Sequence, residues 1–92
     1  MEESAVILII SGDIYESKKD SFAKLRKDNN LISVMGNQSR HVWIVEDQTI
    51  SCDYDRDSSG VLNSVSITWK GHNMTSLLKS IIKIFLEAKN NV

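Results

Sequence analysis

The sequence predicts a single α+β domain: one mainly antiparallel sheet of about five strands, with a short first helix and a longer C-terminal helix packed on one face. Three observations carry this. Residues 64–70 alternate strictly between polar and apolar, the period of a half-buried strand. Past Gly71 the period changes, and Leu77, Leu78, Ile81, Ile82, Phe85 and Ala88 fall on one side of a helix over 75–88. Before residue 64, short apolar runs recur between turn-forming segments, the pattern of a meander. Ninety-two residues leave room for one core, so the domain is expected to span 1–92.

The elements follow in order. Ala5 to Ile10 is an unbroken apolar run rich in β-branched residues, closed by Ser11-Gly12-Asp13. Such a run predicts a strand covered on both faces or central in the sheet. Ser17 with Asp20 three residues later is a variant of the capping box, which predicts a helix over 18–28 with Phe22 and Leu25 inward and Asn29-Asn30 as its stop. That helix is expected to return the first strand to a parallel neighbour by a right-handed crossover.

Four further strands are predicted at 31–35, 41–46, 49–55 and 61–70, separated by turns at 36–40, 46–48 and 56–60. On 49–55, Ile50, Cys52 and Tyr54 share one face and Ser51, Asp53 and Asp55 the other. On 61–70 the inward set is Val61, Val65, Ile67 and Trp69, interrupted by Asn63, and Ser64, Ser66, Thr68 and Lys70 face outward. In the last helix Ile84 and Leu86 widen the apolar surface beyond one stripe, so the first helix or a second subunit is expected to cover them.

Composition argues against two simple partner classes. A net charge of −1 is too small for a general nucleic-acid binder, and too small in the other direction for a DNA mimic. Charge is nevertheless polarised along the chain. Residues 18–27 hold Lys18, Lys19, Lys24, Arg26 and Lys27, and residues 46–57 hold Glu46, Asp47, Asp53, Asp55 and Asp57. Cys52 is the single cysteine, and Glu2 and Glu3 rather than basic residues precede the apolar run, which is also shorter than a membrane span. A cytoplasmic protein is the expectation.

Candidate chemistry is sparse. Asp53-Tyr54-Asp55-Arg56-Asp57 begins like a calcium loop, but Ser58 and Ser64 stand where glycine and a bidentate glutamate are required. His41, His72 and Cys52 have no sequence neighbours that complete a zinc or nucleophilic site, and would need the fold to bring them together. Gly12, Gly36, Gly60 and Gly71 are isolated at turns, so no phosphate-cradling loop exists. No metal, cofactor or catalytic residue is predicted.

The function expected is therefore binding without catalysis. Adaptors, assembly factors and stoichiometric inhibitors such as immunity or anti-defence proteins need only a complementary surface. The first candidate surface is Asp53, Asp55, Arg56 and Asp57 on the polar sheet face and adjoining loop, facing a basic partner protein. The second is Trp43 with Arg40, residue types enriched at interface hot spots. The alternative is nucleic-acid binding through Lys18, Lys19, Lys24, Arg26 and Lys27, with sheet aromatics Trp43, Tyr54 and Trp69 stacking bases. A homodimer through a sheet edge or the surplus helix surface is a further expectation.

Overall fold

The computed structural model describes residues 2–90, with side chains through Glu87; the side chain of Ala88 lies outside the described residues. The elements are β1 (Ser4–Ser11), α1 (Gly12–Asp28), β2 (Ile32–Gly36), β3 (Arg40–Val45), β4 (Gln48–Arg56), β5 (Leu62–Gly71) and α2 (Ser76–Asn90). The strands form one sheet in the order β1-β5-β4-β3-β2, every neighbouring pair antiparallel. Both helices pack on one face and on each other. The predicted α+β architecture is the architecture found.

The path of the chain departs from expectation in one respect. β1 is an edge strand, and β2, the strand reached after α1, lies at the opposite edge rather than beside it. Crossing five strands spaced about 4.8 Å apart requires a connector of about 19 Å. A helix over 18–28 would span about 16 Å at 1.5 Å per residue. The observed α1 has 17 residues, enough for about 25 Å, and is longer than the 15-residue α2. Ser11 ends β1 and caps α1 directly, its Oγ accepting from the Ile14 amide at 3.2 Å. Ser17 lies inside the helix, where its hydroxyl donates to the Ile14 carbonyl.

The apolar run 5–10 is covered on one face only. Val6, Leu8 and Ile10 point under the helices, while Ile7 and Ile9 stand on the open face. The second departure is at the start of β5. The register passes from Asp55–Ser64 to Arg56–Leu62, so Asn63 is an extra residue that reverses the alternation. Leu62 packs against the core in consequence, and Val61 is 57% exposed instead of inward.

Aromatic rings join the two layers. Phe85 of α2 lies between Tyr15 and Phe22 of α1, stacked on the first at 6.3 Å and edge-on to the second at 5.4 Å. Phe22 in turn meets Trp43 of β3 edge-on at 5.8 Å. Of the surplus apolar residues of α2, Ile84 packs on the core and Leu86 remains exposed.

A buried polar junction fixes the start of α2. The Gln48 side-chain carbonyl accepts from Trp69 Nε1 at 3.0 Å and from the Thr75 hydroxyl at 2.7 Å, while Thr75 Oγ1 accepts from the Leu78 amide. Gln48→Leu strands two donors at once. The expected loss is about 2–6 kcal/mol of unfolding free energy, since each buried unpaired donor costs about 1–3 kcal/mol. Urea denaturation measures it, and a loss below about 1 kcal/mol would show that the junction contributes little.

Candidate functional site

The helix-free face of the sheet is organised in cross-strand rows. One row runs Ala5, Lys70, Thr49, Ile44, Ile32; the next Ile7, Thr68, Ser51, Val42, Met35; the third Ile9, Ser66, Asp53, Arg40. Alternation on β4 and β5 places hydroxyl side chains along the middle strands, while β1, β2 and β3 contribute aliphatic margins. Ile7, Ile9, Ile32, Met35 and Ile44 are all exposed there. Asp53 and Asp55 stand at one end of the central strand, and both are exposed.

That end of the sheet gathers five of the six residues expected at a docking surface. Arg40 and Asp53 are cross-strand partners with 3.8 Å between Nε and Oδ1, a half-exposed pair worth at most about 1 kcal/mol. Asp55, Arg56 and Asp57, with Gln38, Ser39 and Tyr54, line an open hollow of about 450 Å³ between the β2–β3 and β4–β5 loops. Arg56 ties the loops together, its guanidinium donating to the Gln38 and Gly60 carbonyls at 3.3 Å each. Asp57 opens the β4–β5 turn rather than a cation site. Its Oδ1 accepts from the Ser59 hydroxyl and amide and from the Val61 amide, and these donors hold its carboxyl below the ordinary range.

The acidic run 46–57 is not one patch. Glu46 and Asp47 form the turn before β4, and Asp55 to Asp57 lie at the far end of this nine-residue strand, about 27 Å away.

Trp43 does not join the surface. It is 5% exposed, held between Phe22 of α1 and the stacked His41 ring, with the Arg26 guanidinium 4.3 Å from its ring centroid. The expectation that Trp43 contacts a partner is corrected. The four consecutive apolar residues 42–45 gave no alternation from which to assign its face, and the register with Ile50 places it under the helices.

The same burial takes the aromatic rings out of the surface expected for nucleic-acid binding. Trp43 and Trp69 are core residues and Tyr54 is half-buried on the covered face, so the open face offers no aromatic platform. The basic segment is divided. Lys19 pairs with Glu16 at 2.7 Å, Lys24 pairs with Asp28 at 3.3 Å, and Arg26 turns inward over Phe22 and Trp43. Lys18 and Lys27, nine residues apart, point about 180° from each other around the helix.

The fold does bring His41 and Cys52 opposite each other on β3 and β4, while His72 follows β5 at the other end of the sheet. The pair is unsuited to nucleophilic chemistry. Cys52 is fully buried, and burial pushes its thiol up to about 12 against a weaker opposing pull from Arg26. At pH 7 the thiolate fraction is on the order of 10⁻⁵. His41 hydrogen-bonds Ser33 Oγ through Nε2 at 2.7 Å, and burial and then Arg26 hold its pKa below the usual value. Among the described residues no group of three His, Cys, Asp or Glu side chains is placed to hold a metal ion, and no helix is long and apolar enough to cross a membrane.

These shifts set a pH window for stability. Cys52 keeps its proton in the fold to about pH 12 but ionises near 8.5 when unfolded, so stability falls as pH rises above about 8.5. Burial also raises Tyr15 and Tyr54, which extends the loss above about pH 10. His41 is favoured neutral in the fold, so stability falls as pH drops below about 6.5. Urea midpoints are expected to be highest between these limits, and Cys52→Ala to flatten the decline between about pH 8.5 and 10. An unchanged decline in that variant would contradict the assignment.

Sequence reasoning missed the Arg26 sandwich, the Gln48 junction and the Ser33–His41 bond. Each joins residues from different elements, and only Arg26 four places after Phe22 carried a local signal. Comparison with protein-family models, curated proteins and solved structures finds no match.

Proposed function

We propose that this protein is a non-catalytic binding domain that docks another protein on its helix-free sheet face, acting as an adaptor, assembly factor or stoichiometric inhibitor. The observation that carries the reading is the pattern of that face. A hydroxyl-bearing centre is flanked by exposed Ile7, Ile9, Ile32, Met35 and Ile44, and closed at one end by Asp53 and Asp55. Exposed aliphatic side chains on one face of a small domain mark an interaction site, and the two carboxylates give that face a charged end.

The partner that fits offers apolar groups to these aliphatic margins and a basic group to the acidic end. Asp53 and Asp55 supply the acidic side of that match, with Arg40 lying across from Asp53 on the neighbouring strand. A lone, buried, protonated Cys52 agrees with a reducing, cytoplasmic setting. The test is affinity capture from the native host with the unmodified chain and with a variant carrying Asp53→Lys and Asp55→Lys. The partner is expected with the first bait and absent with the second; equal recovery would move the docking site elsewhere.

A further inference from the structure

β1 forms one margin of the sheet, paired with β5 on one side and with no described strand on the other. A free edge presents a row of unpaired N–H and C=O groups, and proteins guard such edges with charge, proline, bulges or short length. The opposite margin carries two of these guards: β2 is only five residues long and its register is broken between Ser33 and Met35.

β1 carries none of them. Its eight residues, Ser4-Ala5-Val6-Ile7-Leu8-Ile9-Ile10-Ser11, contain no charge and no proline. Their register with β5 runs unbroken from Ser4–Gly71 to Ser11–Ser64. Its open-face side chains are among the most exposed apolar groups of the molecule, Ile7 at 60% and Ile9 at 69%. On the covered face Val6 and Leu8 are only partly buried, because β1 has a neighbour on one side alone.

We infer that β1 pairs antiparallel with β1 of a second copy, about a two-fold axis perpendicular to the sheet, joining two five-stranded sheets into one of ten strands. A second copy is the occupant because the strand complements itself. With Ile7 opposite Ile7, Ala5 meets Ile9 and Val6 meets Leu8, and each pair shares one face. Charge selects the antiparallel direction. A parallel register would set Glu2 and Glu3 beside their own copies, whereas the antiparallel one places them near Gly12 and Ser11 of the other chain. There α1 begins, and the positive end of its dipole favours carboxylates. The pairing is isologous and closed, since it uses both free β1 edges and leaves the bulged β2 edges outermost.

This pairing uses backbone groups and leaves Ile7 and Ile9 on the open face, so the dimer doubles the face without depending on the proposed partner. The test therefore contains no partner. Sedimentation equilibrium of the unmodified chain from about 1 to 200 μM is expected to show conversion to twice the chain mass. Ile7→Lys, which installs the missing guard on an exposed position, is expected to raise the dissociation constant at least about tenfold. Ile44→Lys, on the same face three strands away, is expected to leave it unchanged.

Amide hydrogen exchange of the unmodified chain holds the test if a variant fails to fold. β1 amides slow as concentration rises and β2 amides do not. A monomer at the highest concentration overturns the inference. Equal weakening by both variants also overturns it, because that is the signature of face-to-face packing, as do β1 exchange rates independent of concentration.

Discussion

Gly12→Ala is expected to remove at least about 3 kcal/mol of stability, a large share of the total for a domain of this size. A Cβ on Gly12 would stand 1.9 Å from the Leu62 carbonyl oxygen and 2.7 Å from its carbon. Both are backbone atoms, so no side-chain rotation relieves the contact. The chain cannot shift locally either. Gly12 is the first residue of α1 and follows β1 without a loop, so moving it displaces the strand, the helix, or the start of β5 where Asn63 is already bulged.

Gly60→Ala is the matching control. Its φ is +90°, but a Cβ added there meets nothing within 4 Å, so the substitution strains the backbone without a clash and costs about 1–2 kcal/mol. Thermal and urea unfolding of the two variants distinguish close approach from backbone conformation. A Gly12→Ala protein as stable as the Gly60→Ala protein would contradict the packing of α1 on β5.

Reversing charge at Asp53 and Asp55 is expected to weaken partner binding about a hundredfold, about 2.7 kcal/mol, while leaving the fold intact. Both side chains are exposed, and among the described residues the ion pair lost is the half-exposed Arg40–Asp53 contact, worth at most about 1 kcal/mol to stability. Lysines opposed to a basic group replace attraction by repulsion, and like charges juxtaposed at an interface cost several kcal/mol. Added salt should narrow the difference between the two proteins, because exposed charges are screened over about 8–10 Å. Unchanged affinity would separate the acidic end from the docking surface.

Much of this architecture was legible because it rests on local periodicity. Val65, Ile67 and Trp69 alternate into the core as their spacing requires, and Leu77, Leu78, Ile81 and Phe85 do so at helical spacing. The errors share a physical origin in information that no short window contains. The apolar run 5–10 reads alike whether its second face is covered by protein or left open, and edge position is set by β5, more than fifty residues later in the chain. The true start of α1 was hidden because Ser11 serves the strand and the helix together.

The candidate surface was legible in part for the same reasons. Alternation alone placed Asp53 and Asp55 outward. It could not show that Arg56 would spend its guanidinium on two carbonyls, that Asp57 would be consumed by its own turn, or that Trp43 would be covered by Phe22 and Arg26.

Capture from native-host extract with three baits tests docking on the helix-free sheet face most directly: the unmodified chain, Ile44→Lys on that face, and Lys19→Glu with Lys83→Glu on the helical side, all with far-ultraviolet circular dichroism confirming the fold. The account predicts one protein recovered in stoichiometric amount by the first and third baits and lost from the second. Retention by Ile44→Lys with loss from the helix-side variant would contradict it.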